Sequence, residues 1–161
     1  MTDYVSIQNA VRDELKSDAW LSNSANVKTI ESNRRAPTLN VQVGHNGFDW
    51  DEMPAVTVMA NSQPKTFEGS TTREIREGVF VDVEVITRTR DEQTGMDLHL
   101  TIVKNVERVA QAQRTSTACW GVSGYTLSVG TVPDEDNPVR SGDYFILKTN
   151  TEILIELTAT F

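Results

Sequence analysis

The sequence is poor in the residues that build disulfides, metal sites and membrane spans. It has one cysteine, Cys119, and two histidines, His45 and His99, among 161 residues. A single cysteine excludes an internal disulfide, and the two histidines lack the close spacing of zinc ligands. The apolar runs are only a few residues long, well short of the roughly 20 that span a bilayer. We therefore expect no cofactor, no metal ion and no membrane contact.

Acidic residues outnumber basic ones, 23 to 15, and the formal net charge at pH 7 is −8. Long-range repulsion then disfavours sequence-independent binding to nucleic acid, unless the basic residues cluster. Two short clusters exist, Arg34–Arg35 and Arg88 with Arg90. Neither is interleaved with aromatic residues as a single-strand binding surface would be. We interpret both as solvated ends of secondary-structure elements or as subunit contacts.

Motifs for catalysis are missing from the sequence. The stretch Gly121–Gly124 is one residue short of the nucleophile elbow of hydrolases, and neither a P-loop nor a dinucleotide fingerprint occurs. The run Asp134–Asp136 lacks the spacing of a calcium-binding loop. Carboxylates around Trp50 offer a pair for acid/base chemistry, but an acidic surface explains them as well. The sequence thus predicts that the protein is not an enzyme.

Hydrophobic periodicity predicts a short amino-terminal helix at about residues 3–17 and a long helix from Thr94 or Gly95 to Gln113. The predicted strands cover Asn26–Ser32, Leu39–Val43, Ala55–Ala60, Val79–Thr87 and Tyr125–Val129, followed by a final hairpin of Asp143–Lys148 and Glu152–Phe161 that turns at Thr149–Thr151. We therefore predict an α/β chain of the α+β kind, with one mainly antiparallel sheet of about 5–7 strands packed by the two helices. We expect a single domain over residues 1–161.

The apolar face of the long helix is broad enough to pack across a sheet. Its predicted members are Met96, Leu100, Val103 and Ala110, widened by Ile102, Val106 and Val109. His99 is interpreted as a residue at the flank of this face or at an interface.

This order of elements resembles the tail terminator family of long-tailed bacterial and archaeal viruses, which includes minor tail proteins that complete the tail tube. The shared features are an amino-terminal helix, a strand opened by Pro54, a long polar hairpin loop at Asn61–Gly78, a charged turn at Arg88–Gly95, the long helix, and late strands that close the sheet. The resemblance is one of layout and covers nearly the whole chain.

The resemblance implies a structural virion protein that caps the head-proximal end of the tail tube as a hexameric ring. Such a ring ends tube elongation, offers a docking surface to the head-completion or neck protein, and lets viral DNA pass only through its lumen. The expected location is the tail–neck junction of the virion, after synthesis in the host cytoplasm. Candidate contacts with the tail tube protein or with neighbouring subunits are Lys65, Arg73, Arg76, Arg88, Arg90, Asp134, Glu135 and Asp136.

Two other functions stay open at this stage. One is another head–tail joining protein of the neck or connector, which would attach to the head side instead of the tube. The other is a small cytoplasmic α/β ligand-binding domain or enzyme that uses the acidic residues around Trp50. The second predicts that a folded monomer gains thermal stability with a metabolite or a metal ion.

Overall fold

The computed structural model describes residues 3–33, 52–61, 65–67, 74–114, 120, 124–133, 139–141 and 143–160. Two helices and seven strands lie within these ranges. In chain order they are α1 (Tyr4–Ser17), β1 (Thr29–Ser32), β2 (Ala55–Asn61), β3 (Lys65–Phe67), β4 (Glu74–Thr89), α2 (Glu92–Ala112), β5 (Gly124–Pro133), β6 (Val139–Ser141) and β7 (Tyr144–Thr160).

The strands form one mixed sheet in the order β1-β2-β4-β7-β5, with β3 beside β4 and β6 beside β7. Only the β1–β2 pair is parallel among the described strands, and the other pairs are antiparallel. The longest pairing joins β4 to β7 over the full length of β4, from Glu74 opposite Thr160 to Thr89 opposite Phe145. This sheet with its two helices confirms the predicted α+β class.

Both helices pack on the same face of the sheet, which we call the inner face. Alternate residues of β4 point to it because side chains along a strand alternate between faces. The buried members are Val79, Val81, Val83 and Val85 of β4, with Ile153, Ile155 and Leu157 of β7. The helices contribute Ile7, Val11 and Leu15 from α1 and Ile102, Val106 and Val109 from α2. The larger of two described apolar clusters therefore lies between the helices and the sheet. A smaller one, made of Met53, Ala55, Ile86 and Ile146, lies on the opposite side of the sheet.

Each helix begins at an aspartate whose side chain caps it. Asp3 accepts from the backbone N–H of Val5, and Asp91 accepts from the N–H groups of Gln93 and Thr94. The hydrogen bonds of each carboxylate hold the pKa of Asp3 and of Asp91 below its ordinary value. Because Asp91 caps α2, the helix starts at Glu92, two residues before the earliest predicted position.

A polar cluster lies inside the core, between α2 and the sheet. The side chain of His99 is fully buried. Its Nδ1 lies 2.9 Å from the hydroxyl of Thr87, and its Nε2 lies 2.6 Å from the hydroxyl of Thr149. Burial lowers the pKa of His99 to about 4, so the imidazole is neutral near pH 7. The prediction that His99 lies at a flank or an interface was therefore wrong.

The predicted final hairpin was also wrong, because β7 is one continuous strand from Tyr144 to Thr160. Thr149 and Thr151, which the sequence pattern placed in a turn, are buried on the inner face. The hydroxyl of Thr149 contacts His99, and that of Thr151 lies 3.1 Å from the hydroxyl of Thr131 on β5. Because each buried hydroxyl has a hydrogen-bonding partner, these polar residues can lie in the core and the strand continues through them.

Several predicted boundaries differ from the structure. The strand predicted at Val79–Thr87 begins earlier, at Glu74, and ends later, at Thr89. The segment predicted as a long loop at Asn61–Gly78 contains β3 and the start of β4, which pair with each other. The start of β4 within this segment lengthens the strand that follows the predicted loop. The strand predicted at Asn26–Ser32 is shorter, and the strand predicted at Leu39–Val43 lies outside the described residues.

The apolar face of α2 also differs from the prediction. Leu100, a predicted member, is 56% exposed, whereas Gly95 and His99 are buried in its place. Gly95 faces Thr89 so closely that an added Cβ would lie 2.1 Å from the Thr89 methyl carbon. Within the described part of the chain, α1 and α2 are both too short or too polar to cross a membrane.

Candidate interaction surface

The opposite side of the sheet, which we call the outer face, carries carboxylates in its middle. Asp82 of β4 and Glu152 of β7 are direct partners in the strand register. Directly opposite side chains of an antiparallel pair lie about 4.5–5.5 Å apart at Cβ, so two like charges there destabilise the pairing. Glu152 is exposed and Asp82 is half-buried. We call these two residues the carboxylate pair.

Two asparagines support the carboxylate pair. The side-chain amide of Asn61 on β2 donates to one oxygen of Asp82, and that of Asn150 on β7 donates to the other at 3.3 Å. Each amide thus satisfies one acceptor oxygen of the aspartate. The pair therefore has amide neighbours, and the two acidic side chains still face each other across β4 and β7.

A basic group lies at the end of the same face, where β4 turns into α2. The guanidinium carbon of Arg88 lies 4.4 Å from the centre of the Tyr144 ring, and that of Arg90 lies 4.9 Å from it. The guanidinium of Arg90 also donates to the Tyr144 hydroxyl at 2.8 Å. The ring attracts each cation through its quadrupole, which holds two like charges close together. We call these three residues the arginine corner.

Strand β5 forms one end of the described strand order and carries no charged residue between Gly124 and Pro133. Its side chains of Leu127 and Val132 are 48% and 65% exposed. Natural proteins often protect an edge strand with charges, because its outer backbone groups can pair with another chain. This edge lacks that protection along its described length.

The surface also has a groove of about 640 Å³ between Trp20 and the exposed side of α2. Lys104 and Arg108 line it, and Arg108 forms an ion pair of 2.7 Å with Asp18. Desolvation raises the pKa of Asp18, but the hydrogen bond and charge of Arg108 and the backbone N–H groups of Leu21 and Trp20 outweigh it. The pKa of Asp18 therefore lies below its ordinary value. The described residues contain no group of three or more acidic, histidine or cysteine side chains placed to hold a metal ion.

The structure brings together two of the residues predicted as contacts, Arg88 and Arg90, on one tyrosine ring. Lys65 lies on β3 opposite Glu77, and Arg76 lies on β4 opposite Thr66. The remaining predicted contacts, namely Arg73, Asp134, Glu135 and Asp136, lie outside the described residues.

Sequence reasoning missed Tyr144 and the pairing of Asp82 with Glu152. Alternation along β4 puts Asp82 on the side opposite to the buried valines. Its partner depends on the register of β4 against β7, which joins residues about seventy positions apart. The positions of Asp82 and Glu152 on polar strand faces were the available signal, and it does not fix that register.

Similarity to known proteins is found for this chain among solved structures. It matches no protein-family model and no curated protein. Among solved structures it is similar to a chain in the virion of a native gene transfer agent particle, with 14% sequence identity and a TM-score of 0.41. That similarity covers 92% of this chain and 93% of the other.

Proposed function

We propose that the protein is a non-catalytic structural component of a virus particle that caps the head-proximal end of the tail tube as a ring. In this role it ends tube elongation and offers the docking surface for the head or neck. The observation that carries the proposal is the pair of unlike charged surfaces, the carboxylate pair and the arginine corner. The order of elements, which resembles that of tail terminators, agrees with it.

A ring of identical subunits requires two different surfaces that complement each other. Each copy meets one neighbour with its first surface and the other neighbour with its second, and the rotation closes the ring. The outer face offers an acidic and a basic surface at separate places along β4. A chain that carries two complementary surfaces meets the first requirement of a head-to-tail contact between copies.

The net charge of −8 supports a further part of this role. A ring of acidic subunits has a negative potential that repels DNA at long range, and repulsion lets a polyanion pass without binding to the wall. We propose hexameric assembly with DNA contact limited to passage through the lumen.

The extension formed by β3 and the first residues of β4 is the proposed contact with the tail tube. These strands continue the sheet beyond the β2–β4 pairing, which ends with Asn61 opposite Phe80. The backbone of this extension is extended and paired, and Lys65 and Arg76 lie on it. Deleting Thr66–Thr72 is expected to give tubes that lack this protein, and tails of normal length would contradict the contact.

Immunogold electron microscopy of particles from a lysate tests the proposed role. We expect gold at the head-proximal end of purified tails, and overlong tubes when the gene is deleted. Gold at the head-proximal end with tubes of normal length would favour a neck or connector protein instead. A soluble protein with no gold on any particle would contradict the virion role, and a stability screen with metabolites and metals would then follow.

A further inference from the structure

The carboxylate pair and the arginine corner each concentrate charge of one sign. At the pair, Asp82 and Glu152 are direct partners across two strands, which is an unfavourable arrangement for like charges. At the corner, the guanidinium carbons of Arg88 and Arg90 lie 4.4 and 4.9 Å from the centre of one ring. The opposed carboxylates depart from local electrostatic consistency, and such departures are expected at functional sites.

The two groups are too far apart to neutralise each other within one copy. Asp82 and Arg88 lie on the same strand and on the same side of it, six residues apart. At roughly 3.3 Å of rise per residue, the distance along β4 is about 20 Å. A Debye length of about 8–10 Å at physiological salt largely screens charges separated by that distance.

We propose that the arginine corner of one copy docks on the carboxylate pair of a second copy of this chain. Arg90 is exposed at the corner, and Glu152 is exposed at the pair, so both can reach another molecule. The guanidinium of Arg90, placed between the two opposed carboxylates, lowers their mutual repulsion. The contact rests on the proposed ring and names the surfaces that join its subunits.

The occupant is a second copy because the chain itself supplies both complementary charges. Identical chains of net charge −8 repel one another as whole molecules, so a local match of opposite sign favours their association. Planar guanidinium groups suit carboxylates, to which they donate two parallel hydrogen bonds. Tyr144 keeps both guanidinium groups near one place, so less side-chain freedom is lost on docking.

Charge reversal tests this contact with two single variants, Arg90→Glu and Glu152→Arg. Sedimentation equilibrium of the full chain up to about 1 mM gives the self-association constant of each variant. We expect each reversal to raise the dissociation constant at least about tenfold, since it places like charges across the contact. Matched controls with the same change in net charge are Lys104→Glu and Asp97→Arg on the exposed side of α2, and these should associate like the unmodified protein.

Mixing the two reversed variants gives the decisive readout. The Arg90→Glu copy presents a carboxylate at its corner, and this fits the guanidinium that the Glu152→Arg copy presents at its pair. The unmodified surfaces of the two variants also fit each other. The equimolar mixture should therefore associate although each variant alone does not, and the double variant should associate on its own. Thermal unfolding of all variants verifies that loss of association is not loss of folding.

Three results would overturn the proposal. The unmodified chain would stay monomeric at about 1 mM, or the single reversed variants would associate as tightly as the unmodified chain, or the equimolar mixture of the two variants would not associate. The subunit contact and the tail role can fail independently of each other. Gold on tails with unaffected charge variants would reject this contact alone, whereas recovery by mixing with no gold on any particle would reject the tail role alone. Complexes that stop at two copies would keep the contact and contradict the ring.

Discussion

The two faces of the sheet are made by the same strands and follow different physical rules. On the inner face, β4 and β7 present valines and isoleucines to the helices, and the buried polar groups there have partners, as His99 does with Thr87 and Thr149. On the outer face, the same two strands place Asp82 opposite Glu152. The inner face is internally consistent and supplies stability. The outer face keeps unfavourable charges, and we infer that they are used between molecules.

Adjacent residues of β7 give the largest expected contrast between the faces. Ile155 is fully buried on the inner face, and Leu154 is half-buried on the outer face. We expect Ile155→Ala to lower the free energy of unfolding by about 2–5 kcal/mol, because it removes buried methylene groups and leaves a cavity. Equilibrium unfolding in urea measures this change.

Leu154→Ala is the matched control, since it is the neighbouring residue and removes a side chain of similar size. Its expected loss is less than half of that for Ile155→Ala, because part of the side chain is already in water. Equal losses for the two variants would contradict the assignment of the faces.

Two glycines provide the next contrast. Gly95 in the first turn of α2 has no room for a side chain, since an added Cβ would lie 2.1 Å from the Thr89 methyl carbon. Gly130 on β5 has open space around its Cα. We expect Gly95→Ala to cost about 1–3 kcal/mol through overpacking, even after the roughly 1 kcal/mol that alanine gains within a helix.

Gly130→Ala should leave the free energy of unfolding within about 0.5 kcal/mol of the original value, as for most exposed substitutions. Both changes add one methyl group, so apart from the helix propensity of alanine at position 95 they differ in the space available. Thermal unfolding of the two variants side by side checks the prediction. A Gly95→Ala variant as stable as Gly130→Ala would show that α2 can move away from Thr89.

The buried His99 makes the inner face sensitive to acid. Its pKa is about 4 in the folded chain and 6.5 as the ordinary value, so the unfolded chain binds more protons between these values. Stability is therefore complete above pH 6.5 and is lost as the pH falls through 6.5 towards 4. From the two pKa values we expect a loss of about 2 kcal/mol between pH 8 and pH 5.

Urea unfolding at both pH values, with the His99→Gln variant beside the original chain, measures this contribution. The variant should start less stable and lose less on acidification, because glutamine does not titrate. The helix caps Asp3 and Asp91 have lowered pKa values and act in the same direction, but only when the pH approaches 3.8 and below. An identical loss in both proteins above pH 5 would assign the acid sensitivity elsewhere.

Much of the inner face can be predicted from the sequence, and the predictions that were wrong have a common physical cause. Hydrophobic periodicity predicted the amino-terminal helix and the strand over Val79–Thr87, and the structure confirms both elements. Their buried residues follow that periodicity, at Ile7, Val11 and Leu15 on the helix and at alternate positions from Val79 to Val85 on the strand. The wrong predictions concern polar residues. Thr149–Thr151 was predicted as a turn, and His99 was predicted as a flank or interface residue. Thr149, Thr151 and His99 are each buried with a hydrogen bond to a distant segment, and local patterns do not contain such partners.

Less of the outer face follows from the sequence. The pair Arg88 and Arg90 was identified as a contact from its local charge, and its assembly function is still a prediction. Tyr144 lies more than fifty positions away and reaches both arginines only because β7 pairs with the whole of β4. The same long-range register creates the carboxylate pair. Surfaces built across strands depend on pairing that single-sequence periodicity does not specify.

The smallest expected effect comes from a substitution on the outer face, which should make the monomer more stable and its self-association weaker. Glu152→Gln removes one charge opposite Asp82, so we expect the free energy of unfolding of the monomer to rise by about 0.2–1 kcal/mol at low salt. The same variant should associate more weakly, because the arginine corner of another copy loses a partner. Urea unfolding at low and high salt measures the gain, which screening should reduce.

Glu156→Gln is the control for this change, because Glu156 lies opposite Gly78 and Tyr125 instead of a carboxylate. It removes the same charge from the same strand and relieves no directly opposed pair, so the monomer should not become more stable. If Glu156→Gln raised the free energy of unfolding as much as Glu152→Gln does, the change in net charge alone would explain the effect. A gain for Glu152→Gln alone, together with weaker association, would mean that the outer face gives up monomer stability at this position for contact between copies.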